Sequence, residues 1–285
     1  MRRDPLPDVL VPEPWCANLE LAFDSTARGT RLATSRHQGP LVVQRPLYPE
    51  GSDVCHAIVV HPPGGIAGGD ELTIEVSTSR GAHAVLTTPG AGKLYKSGGR
   101  RASQRVNLHA VEGSVLEWLP QETIVFDAAL ASLELHVGVR VGGLVLAWEV
   151  VTLGREAAGE RYASGVLDTT IAVRIDDRNV WVERGRVTGG SAWLESPIGW
   201  RGCRTSGTFI AGGRKIDDGL VDECRNALSA WPANAAVTRL ASECLVGRYL
   251  GPTASDARAA FMSLRAALRS ALAGREAQPL RIWAT

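Results

Sequence analysis

A thiol and two imidazoles fall within seven residues, at Cys55, His56 and His61, and two carboxylates follow at Asp70 and Glu71. Divalent transition metals accept thiolate, imidazole and carboxylate as ligands. The spacing is not that of a structural metal cage, which brings four ligands at regular intervals. In an extended segment Cys55 and His56 also point to opposite faces. The expectation for this cluster is ordinary buried and turn roles, with a tight metal site as the sharper alternative.

Two further stretches invite catalytic readings. Thr87-Thr-Pro-Gly-Ala-Gly-Lys93 resembles a phosphate loop, but the pattern needs Gly where Thr87 stands and Ser or Thr where Leu94 stands. The hydroxyl that would hold magnesium is missing, which argues against a nucleotide site. Pro62-Pro-Gly-Gly-Ile-Ala-Gly-Gly-Asp70 carries paired glycines either side of two small apolar residues, a mark of tight backbone packing. It lacks the spacing of a dinucleotide loop and has no βαβ pattern around it. A nucleophile elbow and an H-E-x-x-H helix are also absent from the sequence. Glu117, Glu122, Asp127, Glu149, Glu156 and Glu160 lie near expected strand ends or glycine turns. Two of them could form the acid–base pair of a glycosidase, with the eight tryptophans as sugar platforms. Spacing along the chain brings no two of these carboxylates to catalytic distance, and tryptophan in a β protein more often fills the core.

The elements that must position these groups read mainly as strands. In Leu133-Glu-Leu-His-Val-Gly-Val-Arg-Val141 the odd positions are apolar, while Glu134, His136 and Arg140 take the other face, the period of a half-buried strand. Gly142-Gly143 and the apolar run from Leu144 follow, which suits a tight hairpin. The same alternation marks Leu72–Val76 and Ile171–Ile175, the latter followed by an Asp176–Asn179 turn and Val180–Val182. Val115–Trp118 is another expected strand. Short strands with Gly and Asp turns favour a sandwich, barrel or solenoid, and no fixed repeat period is visible. Helix enters late. Thr253 and Asp256 can cap a helix whose Phe261, Leu264, Leu268 and Leu272 share one stripe, with Arg258, Arg265 and Arg269 beside it and Gly274 as the stop. A shorter helix is expected over 217–230, with Leu220, Cys224 and Leu228 inward.

Composition bounds the function. The 285 residues carry 31 basic and 30 acidic side chains for a net charge of +1, a balance that argues against nucleic acid or an anionic membrane as partner. No apolar stretch is long enough to cross a bilayer. Arg2 and Arg3 precede Pro5, Pro7, Pro12 and Pro14 rather than a hydrophobic run, so residues 1–14 read as an extended, partly disordered arm. Five unclustered cysteines suit a reduced, cytoplasmic protein.

Read in order, several blocks resemble the UreD (UreH) family of urease accessory proteins. They are Gly39–Gly51, Cys55-His56, His61–Asp70, Thr87–Ser97, Glu117–Asp127, Trp148-Glu149, Leu153-Gly-Arg155, Gly159-Glu160, Leu245–Gly251 and Arg281–Thr285. Ala67, Leu94 and Ala128 depart from the usual pattern; none removes a polar group. The resemblance implies a single UreD-like domain over residues 15–285. Its fold would be mainly β, an irregular β-helix-like stack of sheets with two α-helices near the C-terminal end. It further implies a protein that is not an enzyme, binds no cofactor tightly, and acts with UreF and the GTPase UreG to load nickel into apo-urease. Nickel would pass transiently through weak, scattered ligands. Asp70 and Glu71 are the foremost candidates for that path, followed by His61, Glu122, Glu149 and Glu160. Arg281, Ile282 and Trp283 are candidate partner-binding residues, with folding back onto the core as the plainer alternative. A structural adaptor that bridges UreF and urease without touching nickel is the competing expectation.

Overall fold

A computed structural model of the protein describes residues 13–284. Residues 1–12, most of the expected N-terminal arm, lie outside the described residues. In chain order the strands begin with β1 (Cys16–Thr26), β2 (Gly29–Gln38), β3 (Val42–Val43), β4 (Val54–Val60), β5 (Glu71–Thr78) and β6 (His83–Thr87). There follow β7 (Gly92–Leu94), β8 (Ala102–Ala110), β9 (Val115–Trp118), β10 (Thr123–Val125), β11 (Leu130–Val139) and β12 (Leu144–Leu153). The chain continues through β13 (Val166–Ile175), β14 (Arg178–Thr188) and β15 (Thr205–Gly212) to α1 (Asp218–Ala227), β16 (Ala235–Ala241), β17 (Cys244–Gly251) and α2 (Ala254–Ala273).

These strands form two stacked sheets. One has the order β14-β13-β11-β8-β5-β1-β2; the other runs β16-β17-β15-β12-β9-β6-β4-β3, with β10 and β7 attached. Inside the first sheet β1, β5, β8, β11 and β13 are parallel, and β4, β6, β9 and β12 are parallel in the second. From β4 to β12 the chain passes repeatedly from one sheet to the other, so each strand pairs with its counterpart one coil later. This is the irregular β-helix-like stacking expected from the sequence.

Alternation along each strand decides what is buried. Leu133, Leu135, Val137 and Val139 of β11 face the second sheet and join the intersheet core. On β12, Val145, Ala147, Val151 and Leu153 belong to that same core, while Leu144, Leu146, Trp148 and Val150 face the helices. A second core forms on that far side. There α2 lays Ala257, Phe261, Leu264 and Leu268 against Trp148, Phe209 and Tyr249. The helix starts where Thr253 accepts a hydrogen bond from the Asp256 N–H at 3.1 Å, and it stops at Gly274, whose φ is 65°. In α1, Asp217 is the cap and Leu220 and Cys224 are buried, with Leu228 at the C-cap.

One expectation is corrected. Gly142-Gly143 does not make a hairpin: β11 pairs with β8 and β13, whereas β12 pairs with β9 and β15. The two glycines turn a corner between sheets. Gly142 has φ 87°, and a Cβ on Gly143 would lie 2.5 Å from the Val111 carbonyl. Local pattern identifies the turn but not the partner of each strand, because parallel partners are distant in sequence. Val141, expected on the inward face, lies past the end of β11 and is exposed.

The second sheet contains a gap. β9 pairs with β12 only as far as Trp118 opposite Ala147, and β10 resumes the pairing at Thr123 opposite Val151. Likewise β6 pairs with β9 as far as Leu86 opposite Trp118, and β7 meets β10 from Gly92 opposite Thr123. Pro89 and Pro120 fall in the two interruptions, where a residue without an N–H cannot continue a ladder. Side chains close the edges of the gap. Thr87 donates to the Leu119 carbonyl at 2.7 Å, Trp148 to the Pro120 carbonyl at 2.8 Å, and Thr88 accepts from the Gln121 N–H at 3.0 Å.

The alternation on β11 has a measurable consequence. Leu135→Ala is expected to cost about 2–5 kcal/mol in denaturant unfolding, and His136→Ala, on the solvent face, about 0.5 kcal/mol or less.

Candidate functional site

A cavity of about 290 Å³ opens at this gap and reaches between the sheets. Its walls are largely apolar, including Leu72, Ile74, Leu133 and Trp118. Its mouth is formed by Thr88–Gly92 and by Pro120, Gln121 and Thr123. Beyond the mouth residues, four polar side chains interrupt the apolar lining from different elements: His61 after β4, Lys93 of β7, Gln104 from the inward side of β8, and Glu149 from the inward side of β12.

Glu149 is the most perturbed of them. Its neighbours at 147 and 151 both belong to the intersheet core, so strand alternation carries its carboxyl inward. Burial without a compensating cation pushes its pKa up from 4.5 to about 7. The imidazole of His61 is shifted the opposite way: burial lowers its pKa, against a smaller pull upward from Asp70. Its Nε2 is buried and has no hydrogen-bond partner among the described residues. A largely neutral imidazole and a carboxyl poised near neutrality are donors that a cation can engage without first breaking an ion pair.

The other expected site residues are placed elsewhere or are already engaged. Asp70 is buried, and its two oxygens accept the N–H groups of Trp15 and Ala67, each at 2.8 Å. It therefore closes the turn that contains the second glycine pair, Gly68-Gly69. Glu71 begins β5 and is exposed. Glu122 forms an ion pair with Arg258 of α2. Glu160 accepts Arg155 at 2.6 Å and the Asp127 N–H at 3.2 Å, and the Arg155 guanidinium stacks over Phe126 at 4.4 Å. The Arg155 hydrogen bond is the main cause of the lowered Glu160 pKa. Of the six proposed path residues, the structure brings His61 and Glu149 to one cavity. No group of three or more His, Cys, Asp or Glu side chains suited to a metal occurs among the described residues.

The C-terminal residues Arg281, Ile282 and Trp283 lie in a short 3₁₀ turn, Arg281–Ala284. Trp283 folds back: its indole N–H donates to Thr87 at 3.0 Å, and its ring lies 6.1 Å from that of Trp148. Arg258 sits over the same ring at 5.8 Å. Arg281 is exposed and Ile282 is half-buried. Cys55 and His56 do face opposite ways. Cys55 enters the intersheet core, and His56 bonds Glu50 at 2.7 Å on the other side.

A charge cluster on that other side was not foreseen. Glu117 of β9 is completely buried between the sheet and α2. It accepts Arg265 Nε at 2.7 Å, Arg269 Nε at 2.8 Å and His83 Nε2 at 2.7 Å. Arg269 continues to Glu50 at 2.7 Å, and Glu50 to His56. Arg265 also donates to the Gln278 carbonyl at 2.8 Å and Arg269 to that of Glu276, so the cluster ties down the segment after α2. Burial alone would raise the Glu117 pKa. The charge of Arg265 and the His83 hydrogen bond reverse this and hold the carboxyl well below its usual range. The signal in the sequence was a pair of arginines four apart beside the apolar stripe of α2. Their carboxylate partner stands 148 positions away from Arg265, beyond the reach of any periodicity.

A two-sheet stack of irregular parallel coils, with a gap in one sheet leading to a sparsely polar interior, defines a β-solenoid-like class of protein. The profile described as UreD urease accessory protein matches residues 16–284. Proteins named urease accessory protein UreD show high similarity. That from Azoarcus sp. (strain BH72) is 47% identical over 271 residues, covering 95% of this chain and 94% of its own. That from Dechloromonas aromatica (strain RCB) is 45% identical over 274 residues, covering 95% of each. That from Pseudomonas aeruginosa (strain PAO1) is 46% identical over 280 residues, covering 98% of this chain and 99% of its own. This chain belongs to the UreD urease accessory protein family. Its relatives carry the name of an accessory protein rather than of an enzyme. No helix among the described residues is long and apolar enough to cross a membrane.

Two pH-dependent consequences follow. Glu117→Gln leaves two buried guanidiniums facing a neutral amide and is expected to cost about 3–5 kcal/mol in denaturant unfolding. Because the folded pKa of Glu117 is depressed, its contribution is full above the unfolded carboxylate value and is lost as pH falls below it. Glu149 has the opposite sign. Its folded pKa is raised from 4.5 to about 7, so wild-type stability falls as pH rises across that interval. Glu149→Gln is therefore expected to match wild type below the interval and to exceed it above, by at most about 3 kcal/mol. Partial exposure of Glu149 makes that figure a ceiling.

Proposed function

We propose that this chain is a non-catalytic scaffold for urease maturation in the cytoplasm, acting with UreF and UreG to insert nickel, and that nickel passes transiently through its intersheet cavity. The observation that carries this reading is the inward Glu149 carboxyl in the same apolar-walled cavity as the unpartnered His61 Nε2. A conduit must bind its ion well enough to admit it and weakly enough to let it go. Two or three donors on separate elements, supplemented by water, meet that requirement better than a closed four-ligand cage. Membership of the family supplies the link to urease, and the GTP chemistry falls to UreG. The broken phosphate loop agrees with that division, since Thr87–Lys93 instead ends β6, forms part of the cavity mouth and enters β7.

The second reading is an adaptor that bridges UreF and urease without touching nickel. It draws on the engagement of Asp70, Glu122 and Glu160 in turn closure and ion pairs. Co-expression with urease, UreF and UreG in a host lacking urease separates the two. Omission of this chain is expected to give urease polypeptide without nickel, and a normal nickel content there would defeat both readings. With the complex intact, the double substitution of His61→Ala and Glu149→Ala is expected to lower the nickel content of urease about tenfold or more, given loss of both donors. An unchanged nickel content with the complex intact would leave the adaptor.

A further inference from the structure

One edge of the seven-stranded sheet carries charge that the chain does not neutralise. β14 is its terminal strand, antiparallel to β13 on one side, and no strand among the described residues pairs with its other side. It runs for eleven residues, so the free side offers a long row of backbone donors and acceptors. Val182, Arg184 and Arg186 alternate along its outer face and are all exposed, while Val187 points to the core.

The sheet's own register shows where the charge is left over. In one row Arg105 meets Glu134 at 2.9 Å, and the row continues through Thr170 to Arg184. Arg184 has no carboxylate partner among the described residues. In the adjacent row Asp168 accepts from Arg101 at 2.7 Å and from Arg186 at 2.6 Å, so one carboxylate serves two guanidiniums. The opposite edge strand differs. On β2, Arg31 and Arg36 lie against Asp24 and Glu20 of the adjoining strand at 3.8 and 3.7 Å. The excess is local to the β14 edge.

We infer that the free edge of β14 receives an extended acidic segment of a partner protein as an added strand, with carboxylates two residues apart opposite Arg184 and Arg186 and an apolar residue opposite Val182. Main-chain pairing supplies the attachment in strand addition, and side chains at alternate positions supply the choice of partner. Opposite charges directly across a strand pair are favourable and like charges are not. An added strand of this pattern extends both rows with the charge each lacks. Nickel passage is not required for it, since neither Arg184 nor Arg186 lines the cavity. The rival account is that the arginines merely keep the edge from pairing with anything.

The test uses the full chain and a short capped peptide in which Glu, Glu and Val take successive alternate positions with Thr between them (the Glu–Val peptide), with the same peptide carrying Lys for both Glu (the Lys–Val peptide) as control. Binding is followed by fluorescence anisotropy, and the site by amide hydrogen exchange. The Glu–Val peptide is expected to bind, to protect residues 180–188 from exchange, and to be weakened by added salt. Arg184→Glu is expected to weaken it about three- to tenfold, and Arg184→Ala by less. Arg184 is exposed and has no carboxylate partner among the described residues, so both variants are expected to keep the wild-type circular dichroism spectrum. Absence of Glu–Val binding, equal binding of the Lys–Val peptide, indifference to Arg184→Glu, or protection only outside β14 would each overturn the inference.

Discussion

A carboxylate taken out of water must find a cation or keep a proton. The ten-stranded sheet carries one of each, on opposite faces. Glu117 projects toward α2 and is held as an anion by Arg265, Arg269 and His83. Glu149, on the strand that pairs with that of Glu117, projects into the intersheet cavity, and its pKa rises to about 7. The first solution fixes architecture. It joins a helix to a sheet and secures the C-terminal segment that brings Trp283 against Thr87, next to the cavity mouth. The second leaves a carboxyl poised between its neutral and charged forms.

This contrast depends on the interrupted ladder. Were β9 and β10 one continuous strand, backbone pairing would close the sheet beside Glu149. Pro89 and Pro120 prevent that, and the hydroxyls of Thr87 and Thr88 with the Trp148 indole satisfy the exposed backbone at the margins. Open backbone inside a sheet is tolerated where side chains supply the missing partners.

Much of the fold was legible along the chain. The inward face of β11, the strand at Val115–Trp118, and the cap, stripe and stop of α2 all follow from local chemistry. What periodicity could not supply was pairing between distant segments. It therefore made Gly142-Gly143 a hairpin instead of a corner between sheets. The same limit hid the Glu117 cluster, whose members come from β4, β6, β9 and α2 and from the loop before β4. For the site, the most distinctive block, His61–Asp70, contributed one residue to the cavity and one to a turn. His61 borders the cavity, whereas Asp70 spends both oxygens on the backbone. Residue type could not separate those roles, because a carboxylate that caps a turn and one that meets an ion look alike until the nearby N–H groups are placed. Gln104 escaped notice because a carboxamide on an inward strand position has no signature of its own.

The central claim is that the Glu149 carboxyl is desolvated, near neutrality and open to a cation. Infrared difference spectroscopy of wild type against Glu149→Gln isolates its protonated carboxyl band. The band is expected to titrate with a midpoint near 7 and, at a pH just below that midpoint, to disappear when nickel is added. A midpoint at the ordinary glutamate value of 4.5, with no response to nickel, would contradict the account.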